Sequence, residues 1–199
     1  MAKLLVQYGA KTIDGKFNVF VHLTREDNAE LLGFVLKHDT NPVLKATLDS
    51  ATEEAIWARS LSCLRILIEH GADISGPRII LFAIFRKDLE CIDLLCRMGM
   101  EINTTHDDSL NTALHSAVKY KAGADVVRIL LAYNPDLRAL NGRGFTPLTL
   151  ARRIGAHEIE RIFEDAEEQR LREDHLAFAM GQHRRLGDVS SSHWLDEES

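Results

Sequence analysis

Nine histidines and three cysteines are the side chains of this 199-residue chain best suited to hold a metal or run nucleophilic chemistry. A structural zinc site needs donors at short, regular spacing, such as Cys-x-x-Cys, because four ligands must converge on one ion. No such run occurs. Cys91 and Cys96 stand five apart, which on one helix turns them to different sides, and Cys63 has no donor beside it. Cys63 and Cys91 each open an apolar run and are expected as small buried side chains. Gly142-Arg143-Gly144 lacks both a preceding strand and the Gly-x-x-x-x-Gly-Lys spacing of a phosphate loop. His157 is expected at the start of a helix, exposed or locally bonded, and His183 beside Arg184-Arg185 has no partner legible in the sequence. No Ser-His-Asp or Cys-His set can be assembled from neighbouring positions. The expectation is therefore no catalytic residue, no metal, no cofactor and no enzyme activity.

What positions these residues is a repeat. Asn111-Thr112-Ala113-Leu114-His115-Ser116-Ala117 returns as Phe145-Thr146-Pro147-Leu148-Thr149-Leu150-Ala151, its threonines 34 residues apart. Each copy precedes a second apolar helical pattern, Val126 to Leu131 and Ile159 to Phe163. In the later copy Thr146 is placed to cap a helix with its hydroxyl, and Pro147 to fill the first helical position, where a missing donor costs nothing. The period and the Thr-Pro-Leu-His-x-Ala text resemble the ankyrin-repeat family, most specifically over 111–163 and more loosely over about 4–169. That resemblance implies an all-α solenoid of stacked helix-turn-helix units. In such a unit His115 occupies the slot whose ring braces the turn by hydrogen bonds.

Second helices repeat upstream more clearly than first ones. Cys63 to Asp73 ends in Gly71-Ala72-Asp73, and Cys91 to Glu101 follows the same pattern 28 residues later. Gly71 and Gly99 suit left-handed helix ends. The 28-residue step is short, so a trimmed helix is expected around Pro77 to Phe85. Lys121-Ala122-Gly123 reads as a one-residue lengthening of an inter-helix turn. Asn28 to Val35 forms another second helix, with Phe17 to Leu23 as its partner. Leu4 to Ala10 then ends a still earlier unit. The expected partition is a half unit at 1–12 and units at 13–42, 43–73, 74–103, 104–137 and 138–169. A repeat domain thus covers 1–169, and 170–199 forms a C-terminal capping helix and an acidic, disordered tail. Glu164 to Met180, ended by Gly181, is expected as the cap, with a segment that folds only on a partner as the alternative; Trp194-Leu195 beside Asp196-Glu197-Glu198 offers a docking peptide or a phosphorylation-controlled segment.

Charge is uneven. The formal net charge is −6, and the residues from Glu164 onward hold ten acids and four bases, which accounts for all of it. Lys119 to Arg153 carries seven bases against Asp125 and Asp136. That patch is too sparse and mixed for nucleic acid and suits an acidic peptide, the chain's own acidic tail among the candidates. No run of 18 apolar residues exists, and Met1 to Val6 is too short and charged for a signal peptide. With no disulfide framework among three cysteines, the expected setting is intracellular, cytoplasmic or nuclear.

The resemblance implies a concave groove lined by turn tips and first-helix faces. On this chain it points to exposed tip positions including His106, Asp108, Asn141 and Arg143, and to Arg86, Lys87, Lys119, Tyr120, Arg153 and Ile154 on the first helices. Tyr120 and Ile154 are the expected anchors, since aromatic and apolar groups dominate binding energy. The expected function is a non-enzymatic adaptor, scaffold or inhibitor, a monomer that binds a protein partner, with no nucleic acid and no membrane. The alternative is a regulatory or targeting region of a larger protein, such as an enzyme whose catalytic domain lies elsewhere.

Overall fold

A computed structural model describes residues 13–14, 17–38, 45–105 and 109–190. The half unit at 1–12, the tip residues His106, Asp107 and Asp108, and the Trp194 segment lie outside the described residues. Ile13–Asp14 (β1) and Phe17–Asn18 (β2) pair antiparallel, with Ile13 opposite Asn18. The helix expected from Phe17 therefore begins two residues later. Ten helices follow among the described residues: α1 (Val19–Arg25), α2 (Ala29–His38), α3 (Lys45–Ala58), α4 (Leu61–Glu69), α5 (Pro77–Arg86), α6 (Leu89–Arg97), α7 (Ala113–Lys119), α8 (Ala124–Leu131), α9 (Pro147–Arg153) and α10 (His157–Ser190).

The two helices of each unit from α1–α2 to α9–α10 pair through turns of two to four residues. Each turn reverses the chain at a left-handed residue with φ between 50° and 71°, Asp27, Arg59, Lys87, Lys121 or Gly155. Only the last is the residue type that adopts this conformation freely. The second helix then starts on a cap. Ser60 accepts the Cys63 N–H and Asp88 accepts the Cys91 N–H, satisfying donors a helix start leaves open. Thr146 caps α9 in the same way, with Pro147 in its first turn.

A helix pair this short cannot bury both faces alone, so neighbours close the core. α1 packs on α3, α3 on α5, α5 on α7 and α7 on α9, forming one layer of first helices. Second helices make the other layer, with α2 on α4, α6 on α8 and α8 on α10. Leu64, Ile84, Leu95, Leu114, Leu130 and Phe163 are buried between them, and Ala117 and Ala151 let first helices approach closely. The 28-residue step has a different origin from the one expected. α5 is ten residues long, longer than the seven of α7 or α9. The shortening lies in the loop: 70–76 joins α4 to α5, whereas 98–112 joins α6 to α7.

One buried polar atom stands out. Ser116 is fully buried on α7, and its hydroxyl oxygen has no hydrogen-bond partner. A hydroxyl desolvated without a partner costs about 1–3 kcal/mol. Ser116→Ala is expected to raise the unfolding free energy by about 1 kcal/mol, read from the urea midpoint at unchanged slope. An unchanged or lower midpoint would assign the hydroxyl a partner in the folded state.

α10 departs from its expected form. It runs through Gly181 to Ser190. A helical glycine costs only about 1 kcal/mol, which a long helix braced by pairs such as Glu168–Arg172 absorbs. Ile159 and Phe163 are buried and Ile162 and Ala166 half-buried, but 171–178 are exposed throughout. The covering role therefore stops near Arg170. At 1.5 Å per residue Phe178 lies about 18 Å along the helix beyond Ala166.

Candidate interaction surface

The first-helix layer carries large side chains at its turn end. Trp57 precedes the last residue of α3, Phe85 precedes the last residue of α5, Tyr120 caps α7 and Ile154 caps α9. Each is exposed, by 41%, 62%, 40% and 39%. Three of them make ring contacts. Trp57 meets the half-buried Phe82 at 5.1 Å, and Phe85 meets Tyr120 edge-on at 6.2 Å. Cations stand over the rings: Arg86 over Trp57 at 5.5 Å and Lys119 over Tyr120 at 5.4 Å. The result is a row of aromatic and apolar groups flanked by positive charge, running from one unit to the next. Side chains of this size at exposed helix ends add little to the core.

The neighbouring tip is held rigidly. His115 is fully buried; its Nδ1 accepts the Thr112 N–H at 3.3 Å, closing a capping box. Nε2 therefore carries the proton and donates to the Phe145 carbonyl, 2.8 Å away in the next unit. Asn141 accepts the N–H groups of Arg143 and Phe145 and donates to Asn111. The Gly142 N–H donates to Ser109 at 2.7 Å, and a Cβ there would stand 3.0 Å from the same carbonyl oxygen, a contact tight enough that the Ser109 backbone would have to give way. Arg153 lies over the Phe145 ring at 4.8 Å and ties α9 to this tip.

On the second-helix layer polar side chains link units instead. Arg59 pairs with the buried Asp88 at 2.9 Å. Tyr133 donates to Asp93 at 2.6 Å, which holds its hydroxyl above the usual tyrosine range. Cys63, Cys91 and Cys96 are buried, and burial pushes Cys91 up to about 12 and Cys96 to about 11. Thiolate is the reactive form. Native protein at pH 8 is therefore expected to resist iodoacetamide at all three cysteines and to react fully once unfolded in urea; fast labelling of the native chain would contradict their placement. Among the described residues no group of three or more His, Cys, Asp or Glu is arranged to hold a metal ion, and no helix is long and apolar enough to cross a membrane.

Of the residues singled out by sequence, Lys119, Tyr120, Arg153 and Ile154 come together at the ends of α7 and α9. Arg143 is exposed on the tip, apart from the row. Asn141, expected as an exposed tip residue, is buried by its bonds to Asn111 and the tip backbone. His106 and Asp108 lie outside the described residues. Trp57 and Phe85 were not anticipated. A signal existed: Trp57, Phe85 and Tyr120 each stand four residues before the start of the following second helix, Leu61, Leu89 and Ala124.

Comparison with known proteins adds a family. Residues 79–170 match the model for ankyrin repeats, three copies. The chain is 46% identical over 54 residues to the ARF GTPase-activating protein Git of Drosophila melanogaster, 27% of this chain and 7% of that protein. It is 26% identical over 149 residues to an ankyrin repeat protein of Fowlpox virus, covering 68% of this chain and 43% of the relative. A second Fowlpox virus ankyrin repeat protein is 28% identical over 103 residues, 48% and 17% of the two chains. The chain spans less than half the length of each of these relatives.

Proposed function

Because the chain belongs to the ankyrin-repeat family through residues 79–170, we propose that it is a non-enzymatic module that binds a protein partner along its first-helix row. Ankyrin repeats are in general protein–protein interaction modules. The finer assignment rests on one observation: Trp57, Phe85, Tyr120 and Ile154 repeat at the same end of four successive first helices, exposed and in a row. A stack that needed only solubility would place polar groups there. Aromatic anchors of this kind supply most binding energy, while Lys119 and Arg153 beside them tune encounter and register. The mechanism is occlusion or tethering: the partner's segment lies on the row and is hidden or held. The chain acts as an intracellular monomer in this reading, without nucleic acid or membrane.

The test is affinity capture from a cell extract with the wild-type chain and a Phe85→Ala, Tyr120→Ala, Ile154→Ala variant, its helicity checked by circular dichroism. A protein retained by the wild type and lost by the folded variant is the expected result. A partner retained equally by both removes the row from consideration. A second reading, a regulatory region of a larger protein, is favoured by the 54-residue likeness to a GTPase-activating protein of which it forms a small part. In that case the same row would serve an activity located elsewhere.

A further inference from the structure

Resting on the row as a partner surface, we propose that its occupant is an acidic segment anchored by bulky apolar side chains. The three central and C-terminal first helices with their following turns, 77–88, 113–123 and 147–156, contain seven Lys or Arg side chains and one acid, Asp88, which is buried and paired with Arg59. All seven are exposed. Arg152 is engaged by Glu160 and Glu164 of α10, at 2.9 and 2.5 Å. Arg86 and Arg153 lie instead against aromatic rings, at 5.5 and 4.8 Å, and Lys87 sits exposed beside Arg86 at the turn. The positive charge is thus placed on the apolar row itself, where a carboxylate on a docked segment would meet a guanidinium already held by its ring.

Helix stabilisation alone does not account for this pattern. Cations in a last turn complement the helix dipole, which explains Arg86, Lys119 and Arg153. The same dipole favours Asp or Glu in the first turn, and none is present in the first turns of α5, α7 or α9. Carboxylates reappear on α3, where Asp49 and Glu53 share a hollow with Asp73 and Arg78, and Glu54 pairs with Arg25. The face is therefore basic from α5 to α9 and acidic toward α3, a polarity that sets the direction of a bound segment, its acidic end on α7–α9. Asp93 and Asp125 belong to salt bridges on second helices, and Asp88, in the turn after α5, is buried and neutralised by Arg59. A chain of net charge −6 with a strongly acidic α10 repels a polyanion approaching as a whole, which favours a short acidic peptide over nucleic acid.

The test pans a phage-displayed library of random short peptides on the full chain and synthesises the winners for anisotropy titration. The expected winners combine Asp or Glu with Leu, Phe or Trp. Their affinity should fall about tenfold or more on Arg86→Glu, Arg153→Glu, two exposed positions outside the core, and should weaken with added salt. Neutral or basic winners, or acidic ones indifferent to that charge reversal, overturn the proposal. If those peptides still lose binding on Phe85→Ala, Tyr120→Ala, the row stands as the partner surface and only the acidic chemistry is wrong. If they are indifferent to both variants, the row itself is wrong. Tight binding of polyuridine, tested in parallel and abolished by the charge reversal, would also overturn the proposal in favour of nucleic acid.

Discussion

Phe163→Ala is expected to lower the unfolding free energy by about 3–5 kcal/mol, the largest effect on stability of any change considered for this chain. Phe163 is 1% exposed and belongs to the last buried turn of α10, with Ile159 one turn before it. Removing its ring leaves a cavity that no later residue can fill, because 171–178 are exposed and make no part of the core. The loss should be local before it is global. In a stack each unit is held by its neighbours, so the cost falls first on α9 and α10, at the end with one neighbour only. Hydrogen exchange should show protection lost over 146–166 while α5 to α7 stay protected. Urea unfolding should turn from one step into two. A single cooperative transition, displaced but unbroken, would show instead that the stack behaves as one unit.

The largest expected effect on binding is that of Phe85→Ala with Tyr120→Ala. Together they should weaken the captured partner by about 2–4 kcal/mol, roughly thirty- to a thousandfold. The two rings touch at 6.2 Å, so their separate losses should not add. Because Phe85 is 62% and Tyr120 40% exposed, the melting temperature should move little. That contrast separates a binding role from a structural one: isothermal titration should show the loss while thermal denaturation does not. A variant that loses stability in proportion to affinity would assign the rings to the fold.

The repeat text carried most of the architecture. Thr112 and Thr146 sit at helix starts, Gly71 and Gly99 are left-handed with φ of 88° and 90°, and His115 bridges two units. These residues were legible because each is demanded by a local backbone geometry. The ten-residue α5 was misjudged because a short repeat spacing does not reveal whether helix or loop has been lost. The length of α10 escaped because a glycine at 181 signals a stop only where nothing else propagates the helix. Trp57 and Phe85 escaped for another reason. No backbone rule requires an aromatic residue at an exposed helix end, so each looks incidental until the units are aligned on their second helices. Asn141 erred in the opposite sense: a polar residue at a turn reads as solvated, yet its side chain is used up by Asn111 and the tip backbone.

The central claim is that the first-helix row is where a partner sits, and site-specific photo-cross-linking tests it most directly. A benzophenone side chain placed at position 120, on the row, is compared with one at the exposed position 132, at the end of α8 in the other layer. Adducts to a captured protein from 120, and none from 132, are the predicted result. Adducts from 132 alone would put the partner on the second-helix layer and contradict the account.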